Sequence, residues 1–136
     1  MYEAYPDLDG MMDRVEAMFT TACIAVNGSP CFTVRPHGGD PVEVDLSQQP
    51  WKRLPILEGI RQYAGIDPSE LSELDSAKAA MERVGISSEN ENTVGGIIEK
   101  LHERFTQPHL IQPTFITDFP LETSPLAKKR TDNPQL

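Results

Sequence analysis

Transfer chemistry on a phosphate needs clustered cations, and this sequence does not cluster them. Lys52, Arg53 and Arg61 are scattered, and Lys128, Lys129 and Arg130 come together only in a polar C-terminal run. None sits in a pattern that positions a triphosphate between cation clamps. The Gly-rich run Pro36-His37-Gly38-Gly39-Asp40-Pro41 does not read as a phosphate loop, because no helix with free N–H groups follows it. His37 has no second ligand at metal spacing and reads as a solvated loop residue. Glu16 beside Arg14, and Asp118 with Glu122, bring charged groups near one another in sequence, but nothing completes an acid–base pair. No catalytic residue and no metal ligand are assigned.

Charge narrows the choice of partner. The 136 residues carry 21 Asp and Glu against 12 Lys and Arg, a formal net charge of -9. Such a surface repels a phosphate backbone over most of its extent, so a nucleic-acid role requires a basic face from another domain. Cys23 and Cys31 are the only cysteines, too few for a disulfide framework, and read as reduced thiols. No secretory signal opens the chain, and no apolar run approaches the roughly 18–20 residues that cross a bilayer. The sequence therefore predicts a cytoplasmic protein without membrane contact.

The elements that would position any site are short, as 12 prolines and 9 glycines require. Asp7-Leu8-Asp9-Gly10 supplies N-cap candidates for a helix with Met11, Val15, Met18, Phe19 and Ala22 on its apolar face, ended by Asn27-Gly28-Ser29-Pro30. A hairpin follows, with Phe32 and Val34 against Val42, Val44 and Leu46 across the 36–41 loop. Trp51 to Leu54 reads as an edge segment, and Pro55 as the start of a helix to about Tyr63 with Ile56, Leu57 and Ile60 inward. A helix from about Ser76 to Val84 takes Asp75 as N-cap and Gly85 as its stop. Thr93 to Phe105 is amphipathic, with Val94, Ile97, Ile98, Leu101 and Phe105 inward. Gly95-Gly96 weakens that helix by about 1 kcal/mol per glycine, which a close approach by a neighbouring backbone would explain. Leu110 to Asp118 reads as a buried strand, and Phe119 to Leu126 as the turn beyond it.

That last stretch also carries a resemblance. Leu110-Ile111-Gln112-Pro113-Thr114-Phe115-Ile116-Thr117-Asp118-Phe119-Pro120-Leu121-Glu122-Thr123-Ser124-Pro125-Leu126-Ala127-Lys128 resembles the strand and turn before the final signature motif of class II lysyl-tRNA synthetases. The Ser-Pro-Leu-Ala-Lys ending separates lysyl enzymes from their aspartyl and asparaginyl relatives. Asp75-Ser76-Ala77-Lys78-Ala79-Ala80 with Val84-Gly85-Ile86 is similar to a helix in the insertion between the second and third motifs. Tyr2-Glu3-Ala4-Tyr5 with Asp7 is similar to the stretch just after the second motif, with Pro6 and Leu8 departing from the usual residues.

The resemblance implies an α+β chain with helices beside pieces of an antiparallel sheet. It implies that residues 1–136 are an internal fragment of the catalytic domain, from the end of motif 2 to before motif 3, insertion included. The parent would join lysine to ATP with magnesium and pass the lysyl group to tRNA(Lys), working as a homodimer. The motif residues expected to hold ATP and magnesium are not in this chain, so the fragment alone is expected to be inactive and to bind neither. Tyr2 matches a tyrosine facing the lysine side chain, where a phenol can accept a hydrogen bond from an ammonium; the alternative is a frayed terminal residue. Glu122 and Ser124 are placed on the pocket wall, or else serve as a turn residue and a cap before Pro125. Bare strand edges would favour self-association. The competing functional reading is a stand-alone, non-catalytic interaction module derived from a synthetase.

Overall fold

The computed structural model describes residues 7–36 and 39–123. In chain order these form α1 (Leu8–Asn27), β1 (Cys31–Val34), β2 (Val42–Asp45), β3 (Lys52–Pro55), α2 (Ile56–Ala64), α3 (Leu74–Arg83), α4 (Val94–Leu101) and β4 (Thr114–Thr117). The fold is α+β, as the sequence indicates. β1 and β2 form an antiparallel pair; β3 and β4 form a second, parallel pair. A parallel pair needs a long crossover, and α2, α3 and α4 all lie between its strands. The chain divides into two compact units, residues 1–53 with 111–115 and residues 54–110 with 116–136. His37 lies outside the described residues. Among those described, no helix is long and apolar enough to cross a membrane.

In the first unit, α1 is capped at both ends as its sequence suggests. The Asp7 carboxylate accepts a hydrogen bond from Gly10 N–H at 2.7 Å. Gly28, at φ 71°, takes the left-handed conformation that closes the helix. The inward face differs from the expected one. Met12, Glu16 and Cys23 are buried, while Met18 and Phe19 remain 50% and 53% exposed. The apolar stripe is rotated from the packed face by roughly a quarter turn, so hydrophobic spacing alone pointed the helix the wrong way.

The hairpin pairs as expected, with Phe32 opposite Val44 and Val34 opposite Val42. Val44, Leu46, Cys23 and Trp51 make the core, with Val15, Phe32, Val34, Ile111 and Phe115 packed on it. Gln112 extends the hairpin with its side chain. Its amide oxygen accepts from Asp45 N–H at 3.2 Å, and its Nε2 donates to the Glu43 carbonyl at 2.8 Å. One amide thereby satisfies two backbone groups of β2 that strand pairing leaves open.

In the second unit, Ile56, Ile60, Ile66, Met81, Ile97 and Leu101 are almost fully buried in one core. Removing each such side chain from water stabilises the fold by roughly 1.5–3 kcal/mol, an upper figure for a compact unfolded reference. α3 begins earlier than expected: Glu73 occupies the N-cap position, and Asp75 lies inside the first turn. Asp75 still suits that place, since a carboxylate there faces the positive end of the helix.

α4 begins where the amphipathic segment is expected to begin, with Thr93 as its N-cap, but does not continue as a regular helix to Phe105. His102–Thr106 is a π turn, followed by a 3-10 turn over Gln107–His109. The wider turn moves the inward position from four residues after Leu101 to five. Thr106 is therefore completely buried, while Phe105 is only partly so. β4 is likewise shorter than expected. It spans Thr114–Thr117, and every residue is half-buried. The backbone is irregular over 110–113, where Pro113 cannot donate to a strand ladder. Asp118, at φ 59°, ends it by entering the left-handed region.

Two features of the π turn have measurable consequences. A Cβ at Gly59 of α2 would lie 2.7 Å from Thr106 Cγ2 and 3.3 Å from Leu54 Cδ2. Alanine gains about 1 kcal/mol of helix propensity there, but overpacking costs about 1–3 kcal/mol. Gly59→Ala is expected to lower stability by about 1 kcal/mol in urea unfolding, and adding Thr106→Ala is expected to abolish the clash. A double variant whose loss equals the sum of the two single losses would contradict this coupling.

The second feature is His102, whose pKa is pushed below the ordinary value by burial, against a smaller upward pull from Glu103. The folded state thus resists protonation that the unfolded chain accepts near its ordinary pKa of about 6.5. Acidification from neutrality through that value toward the lower folded pKa should cost stability. His102→Leu should flatten this acid limb of the unfolding midpoint; an unchanged pH profile would contradict the assignment.

Candidate functional site

The segment from Leu110 to Thr123 has parts in each unit, and each part is built by local chemistry within its own unit. In the second unit, the chain turns at Asp118 and forms a 3-10 turn over Leu121–Thr123. Thr123 closes that turn twice onto the Pro120 carbonyl, with its N–H at 3.1 Å and its Oγ1 at 3.0 Å. A left-handed non-glycine backbone costs roughly 1–3 kcal/mol unless its surroundings impose it. Aspartate is among the side chains that tolerate it best.

The turn is docked on the first turn of α4. Gly95 N–H donates to Glu122 Oε2 at 3.0 Å, and Gly96 N–H donates to the Thr93 hydroxyl at 3.1 Å. Both are N–H groups that a helix cannot satisfy internally. A Cβ at Gly95 would lie 2.7 Å from Thr123 Cγ2, and a Cβ at Gly96 would lie 2.9 Å from Glu91 Oε2. The paired glycines are thus explained by a close approach, but of side chains, not of a neighbouring backbone. Glu91, 7% exposed, is neutralised by an ion pair with Lys100 of the same helix. Glu122 is exposed, so its contact with the positive end of α4 is worth only about 0.3–1 kcal/mol.

In the first unit, the middle of the same segment is held by a buried ion pair. Glu16, 3% exposed, accepts from Trp51 N–H at 3.0 Å and lies 2.8 Å from Arg53 Nη1. Arg53 also donates to the Trp51 carbonyl at 2.7 Å and meets Asp13 at 3.2 Å. So fixed, its guanidinium stands 5.5 Å from the Phe115 ring centre, and the Trp51 ring packs on Phe115 at 5.6 Å. Trp51 itself donates through Nε1 to the Leu46 carbonyl at 3.1 Å. A cleft of about 420 Å³ opens nearby, lined by Asp45, Gln48, Lys52 and Gln112 together with Trp51 and Pro113. The Ser47 hydroxyl, then the Gln48 amide and Ser47 N–H, hold the Asp45 carboxyl down at about 2.

Of the three residues placed at the site by sequence, Tyr2 and Ser124 lie outside the described residues, and Glu122 sits against α4. Sequence reasoning missed Glu16, whose signal was a carboxylate four residues after the buried Met12 on one helical face. It also missed the Asp118 bend, which the following Phe-Pro pair hinted at.

An α+β chain with a synthetase signature strand, a helical insertion and a hairpin defines a class. The sequence pattern of the tRNA synthetases class II (D, K and N) matches residues 1–136. The chain belongs to that family. Among its relatives, the lysine–tRNA ligase of Moorella thermoacetica is 40% identical over 134 residues, 98% of this chain and 26% of the relative. That of Pelotomaculum thermopropionicum is 37% identical over 138 residues, 100% of this chain and 26% of the relative. That of Thermoanaerobacter sp. (strain X514) is 35% identical over 134 residues, 98% of this chain and 26% of the relative. The chain spans about a quarter of the length of the relatives it matches.

The Glu16–Arg53 pair makes an asymmetric prediction. Arg53→Met leaves a buried carboxylate facing an apolar chain and is expected to cost about 3 kcal/mol. Glu16→Gln keeps an acceptor for Trp51 N–H and leaves the part-exposed Arg53 its contacts with Asp13 and the Trp51 carbonyl, costing about 1 kcal/mol. Urea midpoints of the two variants check the order; equal losses would count against a buried charge as the cause.

Proposed function

We infer that this chain is the part of a lysine–tRNA ligase catalytic domain lying between the end of motif 2 and the start of motif 3, insertion included. The observation that carries the reading is the match along the whole chain to lysine–tRNA ligases at 35–40% identity. The parent protein would activate lysine with ATP and transfer the lysyl group to tRNA(Lys) in the cytoplasm.

ATP and magnesium, which the family implies, do not fit the described residues. No group of three or more His, Cys, Asp or Glu among them is placed to hold a metal ion. Several of the described cations are engaged by carboxylates: Arg53 with Glu16 and Asp13, Arg61 with Glu58, Arg83 with Glu70, and Lys100 with Glu91. A guanidinium already paired is a poor clamp for a developing phosphate charge. In this reading the triphosphate and its metal belong to other segments of the parent, and no reaction step is routed through the described residues. What these residues supply is support for the signature segment within each unit: Phe115 packed on Trp51 in the first, and the Asp118–Thr123 turn against α4 in the second.

The exposed apolar stripe of α1 also supports a larger whole. Leu8, Met18, Phe19 and Val26 are 64%, 50%, 53% and 83% exposed and fall along one side of the helix with Ala22, bordered by the half-buried Met11 and Val15. A contiguous apolar face of this kind marks an interface. The same stripe is the feature that favours the second reading, a non-catalytic interaction module.

Amino-acid-dependent ATP–pyrophosphate exchange separates the possibilities. The full-length parent is expected to exchange with lysine and not with aspartate or asparagine, the other substrates its family name covers; the 136-residue chain alone is expected to show no exchange above background. Exchange driven by aspartate or asparagine, or turnover by the chain alone, would overturn the reading. An inactive full-length parent that binds a protein partner stoichiometrically would support the interaction module instead.

A further inference from the structure

We propose that Glu122 is a positioning residue for lysine activation: its carboxylate, latched on Gly95 N–H, sets the course of the chain beyond β4. The proposal rests on the functional reading above and assigns Glu122 a role through α4, not through contact with substrate.

Several observations converge on it. Glu122 Oε2 accepts from Gly95 N–H at 3.0 Å, linking the first turn of α4 to the signature segment. Gly95 leaves no room for a side chain, with Thr123 Cγ2 at 2.7 Å and Glu122 Cβ at 3.2 Å from the place a Cβ would occupy. The turn therefore lies against the helix as closely as atoms pack. The chain enters this turn through Asp118 in the left-handed region, a conformation that aspartate tolerates better than most residues. β4 holds one end, and the Glu122 latch holds the other. Glu122 is otherwise exposed, so solvation alone would leave its side chain free. An exposed carboxylate ordered onto a helix terminus contributes little to overall stability, yet it decides where a six-residue turn sits. Misplacement of a supporting element by about 1 Å costs on the order of 100-fold in rate in well-positioned sites. A turn that shifts only partly should cost less.

The test uses the full-length parent with Glu122→Ala, Glu122→Gln and Gly95→Ala, measured by lysine-dependent ATP–pyrophosphate exchange and by thermal melting. Glu122→Ala is expected to lower kcat/KM for lysine about tenfold, mainly through kcat, while Tm moves by less than about 2 °C. Glu122→Gln is expected to restore most of the loss, because its amide oxygen still accepts from Gly95 N–H. Gly95→Ala should reproduce the Glu122→Ala defect by pushing the turn away. Unchanged kinetics in Glu122→Ala would overturn the proposal. So would a Gln variant as impaired as the Ala variant, since the charge would then be acting on substrate directly. A wild-type parent that fails to exchange with lysine would instead defeat the functional reading. The latch itself is then read by amide hydrogen exchange. Glu122→Ala must speed exchange at Gly95 and leave Gly96, capped by Thr93, unchanged; equal rates at Gly95 in the two proteins would dismiss the latch.

Discussion

The second unit depends on how closely α2 and the π turn approach one another. Ile60 and Leu101 are both fully buried in the same core, and they can share it only because Gly59 presents no Cβ to Thr106. The π turn supplies the matching half of this constraint. By advancing the inward position by one residue, it places a short β-branched side chain where a phenylalanine would otherwise point. The bulky Phe105 moves toward the rim, and the helix ends early enough for the 3-10 turn to redirect the chain toward β4. Packing of this density leaves few alternatives, since interiors tolerate neither added nor missing methylenes cheaply.

The first unit is organised around a buried charge. A carboxylate at 3% exposure is stable only with its partner in place, so Glu16 commits Arg53, and Arg53 commits the space over Phe115. The arrangement is directional in a way that apolar contacts are not. Trp51 is fixed through both its backbone N–H and its indole N–H, and Gln112 completes the open side of β2 through a single amide. These polar groups select one register for segments whose hydrophobic pattern would accept several.

Set beside the family, the structure separates support from chemistry. Arg53, Arg61, Arg83 and Lys100 are occupied by carboxylates, and the stretch from Leu110 to Thr123 is braced within each unit by its own neighbours. The 118–123 turn, with its left-handed aspartate and its double closure on Pro120, is the best-braced irregular stretch of the chain. Strain retained at such a place is a mark of a segment whose path matters more than its local energy.

The sequence by itself determined the order of the main elements, both ends of α1, the presence of the hairpin and the family. These follow from local rules or from a long motif, and local rules depend on neighbours only a few residues apart. The tertiary structure decided which face of α1 turns inward, because a stripe of seven apolar residues says that a helix has partners but not which side they stand on. It also decided that Thr106 replaces Phe105 in the core, that Asp118 bends the chain, and that Glu122 answers Gly95 from 27 residues away. Each of these outcomes is set by contacts between residues distant in sequence, where the energy of fitting two surfaces together exceeds the weak preferences that any single stretch of chain carries.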